Sequence, residues 1–192
     1  MKLYGSTTSP YVRRLVMWLA DEQYQFINID IFSPKGRILL KEINPTLKIP
    51  MIDYDGQVVY DSGVIFRFLC EKLNREKLSW DKENSLTIID AANDSMVELL
   101  LLNRFSKIDT ASSKLHFVKL QKERTGQAMK QLNKQVEQAE FEQWDYTAIA
   151  LYCLLDWVLY REMFDLSAYE GLLSFHQQHA DKEEVVKSDP RG

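Results

Sequence analysis

Residues 44–65, NPTLKIPMIDYDGQVVYDSGVI, place a proline before one strand, a tight turn after it, and a helix start after a second strand. The short apolar runs 49–53 and 58–60 flank an Asp-Gly pair, which is typical of a β-hairpin turn. Apolar residues over 61–73 then recur on one face of a helix. This stretch therefore predicts a ββα unit with an antiparallel pair of strands.

The residues before this unit predict a strand, a helix and a second strand. The strands are expected over 1–4 and 25–31, and the helix between them begins near Pro10. A βαβ unit of this kind implies parallel strands joined by a right-handed crossover. A weaker helical stretch over 36–43 leads into the hairpin. We therefore expect a mixed α/β domain over residues 1–77, with the order βαβ–ββα.

Beyond about residue 80 the sequence pattern is helical alone. Helices are predicted over 86–108, 115–142, 146–163 and 168–179. The third of these is apolar nearly all round, as expected of a helix at the centre of a bundle. We expect residues 84–192 to form an all-α second domain with a loosely held tail over 187–192.

The charge balance argues against a nucleic-acid-binding protein, which needs a basic face. The 192 residues include 24 Lys and Arg against 28 Asp and Glu, a net charge of −4. The charge is unevenly distributed: residues 1–77 hold 11 basic and 9 acidic residues, or +2, and the remainder holds 13 and 19, or −6. We expect any anionic ligand to bind in the first domain.

The sequence predicts neither a membrane partner nor secretion. Its longest apolar run, 97–105, is interrupted by polar residues and falls far short of the roughly 20 residues that a membrane span needs. Cys70 and Cys153 lie in apolar helical patterns, so we expect core residues rather than a disulfide. With no signal-peptide pattern at the N-terminus, a cytoplasmic location is expected.

Two predicted helix starts could hold anions. Ser9 precedes Pro10 at the first helix, and Asp61 precedes Ser62 at the last helix of the domain. A helix N-terminus presents unpaired N–H groups and a partial positive charge, which stabilise an anion such as a thiolate or a carboxylate. Both pairs are equally typical of an ordinary helix N-cap, so each motif alone leaves the two interpretations open.

The Lys48-Ile49-Pro50 segment suggests a peptide-binding edge. If the Ile49–Pro50 bond is cis, the backbone of Ile49 turns outward and its N–H and C=O can pair with an extended peptide. The alternative is an ordinary proline at the start of a strand. Together with an anion site at Ser9 and a carboxylate–ammonium site at Asp61 and Ser62, this edge would fit a small peptide that carries a thiol.

In these motifs the sequence resembles the cytosolic glutathione S-transferases, in their form with an active-site serine. The segments that carry the resemblance are SPYVRR (9–14), NPTLKIPMI (44–52) and YDSGVI (60–65). The resemblance implies a thioredoxin-like N-terminal domain followed by an all-helical C-terminal domain, assembled as a homodimer. It extends over essentially the whole chain, although the second half matches mainly in pattern.

The resemblance also implies the role of individual residues. Ser9 would be the catalytic residue, because its hydroxyl hydrogen-bonds the thiolate of bound glutathione, and Thr7 or Thr8 could take its place. No metal is implied. The residues expected to bind glutathione are Thr8, Lys48, Ile49, Pro50, Asp61 and Ser62.

Within that set, Ile49 would pair with the cysteinyl part of glutathione and Lys48 would meet the glycyl carboxylate. Asp61 and Ser62 would hold the γ-glutamyl end. Tyr11, which lies beside Ser9 in the sequence, is the residue expected to contact a second substrate.

The expected function is therefore that of a glutathione transferase: the thiolate of glutathione, its co-substrate, is conjugated to a small hydrophobic electrophile, as in detoxification. The alternative on the same fold is a non-catalytic regulatory or binding protein, similar to the stringent starvation proteins. Serine rather than cysteine at position 9 argues against disulfide reduction, which needs a protein thiolate.

Three further expectations concern packing. Arg13 and Arg14 are expected to pair with the helical domain. Asp145 is expected to cap the helix that begins at residue 146, although Ala148 stands where a capping box would have an acid. His176 and His179 are expected on a solvated helix face rather than in a metal site.

Overall fold

The computed structural model describes residues 1–191, and the chain divides into two compact units. The first unit holds Met1–Leu78 together with the described residues from Ala180 onward, and the second holds Ser79–His179. The elements of the first unit are β1 (Lys2–Gly5), α1 (Pro10–Trp18), β2 (Gln25–Asn28), α2 (Pro34–Ile43), β3 (Met51–Tyr54), β4 (Gln57–Tyr60), α3 (Ser62–Lys72) and α8 (Glu183–Lys187). Those of the second are α4 (Trp80–Ser106), α5 (His116–Glu137), α6 (Tyr146–Arg161) and α7 (Glu170–His179).

The first unit is built on a four-stranded sheet in the order β2-β1-β3-β4. β1 and β2 are parallel, and the β1–β3 and β3–β4 pairs are antiparallel. This confirms the predicted βαβ–ββα order and the thioredoxin-like arrangement. In the register of the sheet, Met51 at the start of β3 lies opposite Tyr4 near the end of β1 and opposite Tyr60 at the end of β4.

Close packing of α1 against the sheet requires glycine at the end of β1. A Cβ atom at Gly5 would lie 2.5 Å from Cγ2 of Val12, a residue that is fully buried. On the same side of the unit, the rings of Trp18 and Phe66 pack edge to face with centroids 5.0 Å apart. Helix α1 is therefore held tightly against the sheet, and its N-terminus lies where β1 ends.

The C-terminal residues, which the sequence analysis placed in the second domain, lie in the first unit as α8 and the residues around it. The reason is Arg13, which is only 5% exposed. Its Nε donates to Oγ of Ser188, and its Nη2 donates to the carbonyl of Val185, both at 3.1 Å. Arg13 thus pairs with the C-terminal residues, and the expected loose tail is wrong for residues 187 and 188. The expected pairing of Arg13 and Arg14 with the helical domain stays a prediction.

Helix α6 is the core element of the second unit. Every residue from Tyr146 to Val158 is buried, which confirms the prediction of a central helix. Asp145 caps it, as predicted: Oδ1 accepts from the N–H of Thr147 at 2.9 Å and of Ala148 at 3.1 Å. Its other carboxylate oxygen forms an ion pair with Lys82 of α4, so this carboxylate joins two helices as well as capping one.

The prediction that His176 and His179 lie on a solvated face is wrong. Nε2 of His176 is 3.0 Å from Oδ1 of the buried Asp156, and its ring stacks on Tyr152 with centroids 4.8 Å apart. His179 is buried and stacks on Trp144 at 4.5 Å. Both imidazoles therefore serve the packing of α7.

Two predictions about apolar segments can be compared with the structure. Cys70 and Cys153 are both buried free thiols, which confirms their assignment to the core. Within residues 1–191, no helix has the length and hydropathy needed to cross a membrane.

We predict that Asp145→Ala lowers the free energy of unfolding by about 2 kcal/mol, because the substitution removes a helix cap and leaves Lys82 with only the Gln143 amide oxygen as a partner among the described residues. Urea denaturation measures the change. The matched control is Asp165→Ala, since Asp165 is an exposed carboxylate that accepts one loop N–H, from Ser167 at 2.9 Å. An equal loss in both variants would contradict a special role for Asp145.

Candidate functional site

The register of the sheet brings the three predicted motifs to one edge. Ser9 follows the end of β1 by four residues, Pro50 directly precedes β3, and Asp61 directly follows β4. Since β3 is antiparallel to both neighbours, its start lies beside their ends. Segments that are 41 and 11 residues apart in the sequence thus converge in space, and the sheet presents all three on the same side.

Ser9 is the N-cap of α1, with Pro10 in the first helical position. Its Oγ accepts from the N–H of Val12 over 3.4 Å, which is longer than an ordinary hydrogen bond. The side chain is half-buried, and its O–H has no acceptor among residues 1–191. The hydroxyl is therefore only weakly engaged by its own helix and can donate a hydrogen bond to a ligand.

The other hydroxyls of the first loop differ from Ser9 in their contacts. Thr8 Oγ1 lies 3.2 Å from Oγ of Ser6, so these two side chains engage each other. Thr7 is exposed. Tyr11 is half-buried, and the guanidinium carbon of Arg14 lies 5.0 Å from the centre of its ring. Of the three candidate hydroxyls, Ser9 is the one that lies at the helix start and donates no hydrogen bond within residues 1–191.

The Ile49–Pro50 peptide bond is cis, the first of the two alternatives for this segment. Ile49 is half-buried, and its backbone N–H and C=O take part in no hydrogen bond within the described chain. Lys48 is exposed, and its ammonium group makes no contact there. The residues before β3 thus present one free N–H, one free C=O and one cation.

Asn44 holds this loop in place, and the sequence analysis did not single it out. Its side chain is 1% exposed, and Nδ2 donates to the carbonyl of Lys48 at 2.6 Å. Oδ1 accepts from the backbone N–H and the hydroxyl of Thr46, at 2.9 and 2.8 Å. The Asn-Pro-Thr order, a known turn signal, was the one hint in the sequence.

At the start of α3, Asp61 has a left-handed φ of 70°, which is uncommon for a residue with a side chain. Its Oδ1 accepts from the N–H groups of Gly63 and Val64 at 2.9 and 3.1 Å. Oδ2 has no partner in the described part of the chain, and the residue is exposed. Ser62, by contrast, is 2% exposed. One carboxylate thus caps the helix and also offers an oxygen to a ligand.

The arrangement has the chemistry of a site for a small anionic peptide. A helix N-terminus with a serine hydroxyl lies at one end, and a second helix N-terminus with a free carboxylate oxygen lies at the other. Unpaired backbone groups lie between them. Within the part of the chain that the structure describes, no group of three or more His, Cys, Asp or Glu side chains is placed to hold a metal ion.

Comparison with known proteins connects this edge with one family. Residues 8–72 match the family model described as the N-terminal domain of glutathione S-transferase, and this range includes all three motifs. A probable maleylacetoacetate isomerase from Caenorhabditis elegans is 36% identical over 68 residues. That match covers 35% of this chain and 32% of the isomerase, so it extends over only about a third of either protein.

Solved structures extend the likeness to the whole fold. A glutathione transferase family member from Pseudomonas fluorescens, with bound glutathione, has 21% identity and a TM-score of 0.78, and 98% of each chain is covered. A glutathione S-transferase from Methylobacillus flagellatus, also with glutathione bound, has 20% identity and a TM-score of 0.82 at the same coverage. At such identities the likeness shows a shared fold.

We predict that Asn44→Ala lowers the free energy of unfolding by about 2 kcal/mol, because the hydrogen bonds of a buried amide are lost and the Lys48 carbonyl is left without its donor. Chemical denaturation measures the loss. Asn103→Ala, at an exposed position of α4, is the control and is expected to change stability by less than about 0.5 kcal/mol. A loss no larger than that of the control would show that Asn44 does not hold the loop.

Proposed function

Because the chain carries the N-terminal domain of the glutathione S-transferases and has their fold, we propose that it binds glutathione and activates its thiol for transfer to a small hydrophobic electrophile. The observation that carries the proposal is the convergence of Ser9, Ile49 and Asp61 at one edge of the sheet. Each presents a group that its own secondary structure leaves unused. These groups complement the thiol, the backbone and the γ-glutamyl end of a single tripeptide.

In this proposal Ser9 ionises the thiol. A thiol with an ordinary pKa of about 8.5 is mostly protonated at pH 7. A hydrogen bond from the Ser9 hydroxyl to the thiolate is worth about 1.5–3 kcal/mol, or roughly one to two units of the thiol pKa. The partial positive charge at the N-terminus of α1 also lowers the pKa of the thiol. A substantial fraction of bound glutathione is then a thiolate at neutral pH.

The rest of the ligand is held by the groups next to Ser9. The N–H and C=O of Ile49 pair with the cysteinyl backbone, as an added strand pairs with a sheet edge. The Lys48 ammonium meets the glycyl carboxylate. At α3, the free oxygen of Asp61 pairs with the γ-glutamyl ammonium, and the hydroxyl and N–H of Ser62 hold its carboxylate. Thr8 and Pro50 complete the set of proposed contacts.

The chemical step is nucleophilic attack by the bound thiolate. The sulfur forms a bond to an electrophilic carbon, whose leaving group departs with its electron pair or whose π bond takes up the charge. Holding both reactants together supplies much of the rate. Tyr11 is the residue that we propose to contact the electrophile. A cytoplasmic homodimer is part of the same proposal.

A second candidate function, isomerisation of a carbon–carbon double bond with glutathione, is favoured by the match to the isomerase from Caenorhabditis elegans. The same thiolate can add to a carbon–carbon double bond conjugated to a carbonyl, allow rotation about the resulting single bond, and leave again. Glutathione is then returned unchanged, whereas conjugation consumes it. Counting the free thiols before and after turnover separates the two reactions.

We predict that Ser9→Ala binds glutathione within about threefold of the wild-type affinity but raises the pH midpoint of the bound thiolate by about one to two units. Calorimetric titration gives the affinity, and the ultraviolet absorbance of the thiolate gives the midpoint. Thr7→Ala and Thr8→Ala are the matched controls, because each removes a neighbouring hydroxyl. Activity with a model electrophile at pH 7 is expected to fall about tenfold or more in Ser9→Ala.

The two threonine controls show which hydroxyl stabilises the thiolate. A raised midpoint in Thr8→Ala, with none in Ser9→Ala, would transfer the role to Thr8. If the wild-type protein does not bind at millimolar glutathione, the helix start is only a cap. The proposal then fails, and the non-catalytic alternative takes its place.

We predict that Asp61→Asn weakens glutathione binding about tenfold, because the amide can still cap α3 through its oxygen but offers no charge to the ligand ammonium. Asp55→Asn is a suitable control, since Asp55 is an exposed carboxylate on the β3–β4 turn. Calorimetry at low salt measures both. Equal affinities in the two variants would show that the Asp61 charge does not contact the ligand.

A further inference from the structure

The N-terminal helix of the site is tied to the C-terminus of the chain through a buried cation. Arg13 of α1 is 5% exposed, and its guanidinium donates to Ser188 Oγ and to the Val185 carbonyl, both at 3.1 Å. These partners follow it by 175 and 172 residues. A buried charge needs such acceptors, because desolvation without them is costly. We call residues 182–189 the C-terminal strap.

The C-terminal strap is ordered by its own contacts. Val185 is 3% exposed, so the strap also buries an apolar side chain. The Ser188 hydroxyl donates to the Glu184 carbonyl at 2.7 Å, so the lone pairs of the Ser188 oxygen are available to accept from Arg13. Burial by itself raises the pKa of Asp189, but hydrogen bonds from Arg191 and the charges of Arg191 and Arg13 together hold that pKa below its usual value. The strap thus offers Arg13 neutral acceptors and a nearby negative charge.

Arg13 is directly linked to Ser9 through the helix backbone. Its N–H donates to the Ser9 carbonyl at 2.9 Å, which closes the first turn of α1. Among residues 1–191, the Ser9 side chain hydrogen-bonds only with the Val12 N–H, over 3.4 Å. The position of the hydroxyl therefore depends on where the first turn lies. Contact with Gly5 restrains that turn through Val12, and the strap restrains it through Arg13.

We propose that the C-terminal strap is a positioning element of the glutathione site, with Arg13 as the positioning residue that fixes the first turn of α1 and hence the Ser9 hydroxyl against the ligand sulfur. The inference rests on the proposed function. It makes the far end of the chain part of a site whose ligand-binding residues all lie before residue 63. Displacing the strap would leave those residues in place but misalign the hydroxyl.

Three variants loosen the strap to different degrees. Ser188→Ala removes one acceptor of Arg13, a chain that ends at Lys187 removes Ser188 and Asp189, and Arg13→Met removes the guanidinium. Lys187→Ala is the matched control, because Lys187 lies in α8 and its ammonium forms an exposed ion pair with Glu183 rather than a contact with Arg13. Ser188→Ala keeps the Val185 carbonyl and the buried valine, so it is the variant most certain to fold.

For each variant we would measure the dissociation constant of glutathione, the pH midpoint of the bound thiolate and the thermal midpoint. We expect the thiolate midpoint to rise toward that of Ser9→Ala, least in Ser188→Ala and more in the other two variants, with no change in Lys187→Ala. The dissociation constant should stay within about threefold of the wild-type value, as in Ser9→Ala. In a Ser9→Ala background, Ser188→Ala should leave the thiolate midpoint unchanged, because the strap acts through that hydroxyl.

Two outcomes overturn the inference while the proposed function stands. In the first, the strap variants lower the thermal midpoint but bind glutathione with the wild-type affinity and thiolate midpoint, so the strap only stabilises the fold. In the second, Ser188→Ala shifts the thiolate midpoint equally with and without Ser9. Absence of glutathione binding by the wild-type protein overturns the proposed function, and the inference falls with it.

Discussion

The candidate site depends on the antiparallel pairing of β3 with β1 and β4. This pairing sets Met51 opposite Tyr4 and Tyr60, and through them it brings a helix start, a proline-headed strand and a second helix start together. A slip of one residue would turn the fully buried Ile52 toward the opposite face of the sheet and move Pro50 away from Ser9. The register that buries the core therefore also brings together the groups that we propose bind the ligand, and neither can change alone.

At both helix starts one residue caps its helix and also presents a group to the proposed ligand. Asp61 divides these tasks between its two oxygens, one on the N–H groups of α3 and one left open. Ser9 combines them in a single hydroxyl. Its oxygen accepts a long hydrogen bond from the Val12 N–H of its own helix, and its O–H can donate to the proposed ligand. An N-cap engages only some of the orphan N–H groups at a helix start, so the two interpretations of each motif in the sequence are compatible. The left-handed backbone of Asp61 marks the end where this arrangement is strained.

The second unit meets a different requirement, because it must bury a helix with almost no polar face. Two polar pairs connect α6 with its neighbours: Asp145 with Lys82, and Asp156 with His176. Each pair joins α6, or its cap, to a neighbouring helix while satisfying a charge away from water. Arg13 and the C-terminal strap follow the same rule in the first unit. In each of these three cases a charged side chain removed from most of the solvent joins two elements that are far apart in the sequence.

The sequence by itself determined the order of the elements up to α7, the caps at Ser9, Asp61 and Asp145, and the burial of α6. Each of these depends on residues within a few positions of one another, so turn chemistry and helical periodicity were sufficient. Only the tertiary structure decided that Arg13 pairs with Ser188, that His176 meets Asp156, and that Asn44 holds its loop from within. A polar side chain carries no local sign of whether a partner 20 or 175 residues away will bury it, because its solvation is set by packing that the sequence pattern does not encode.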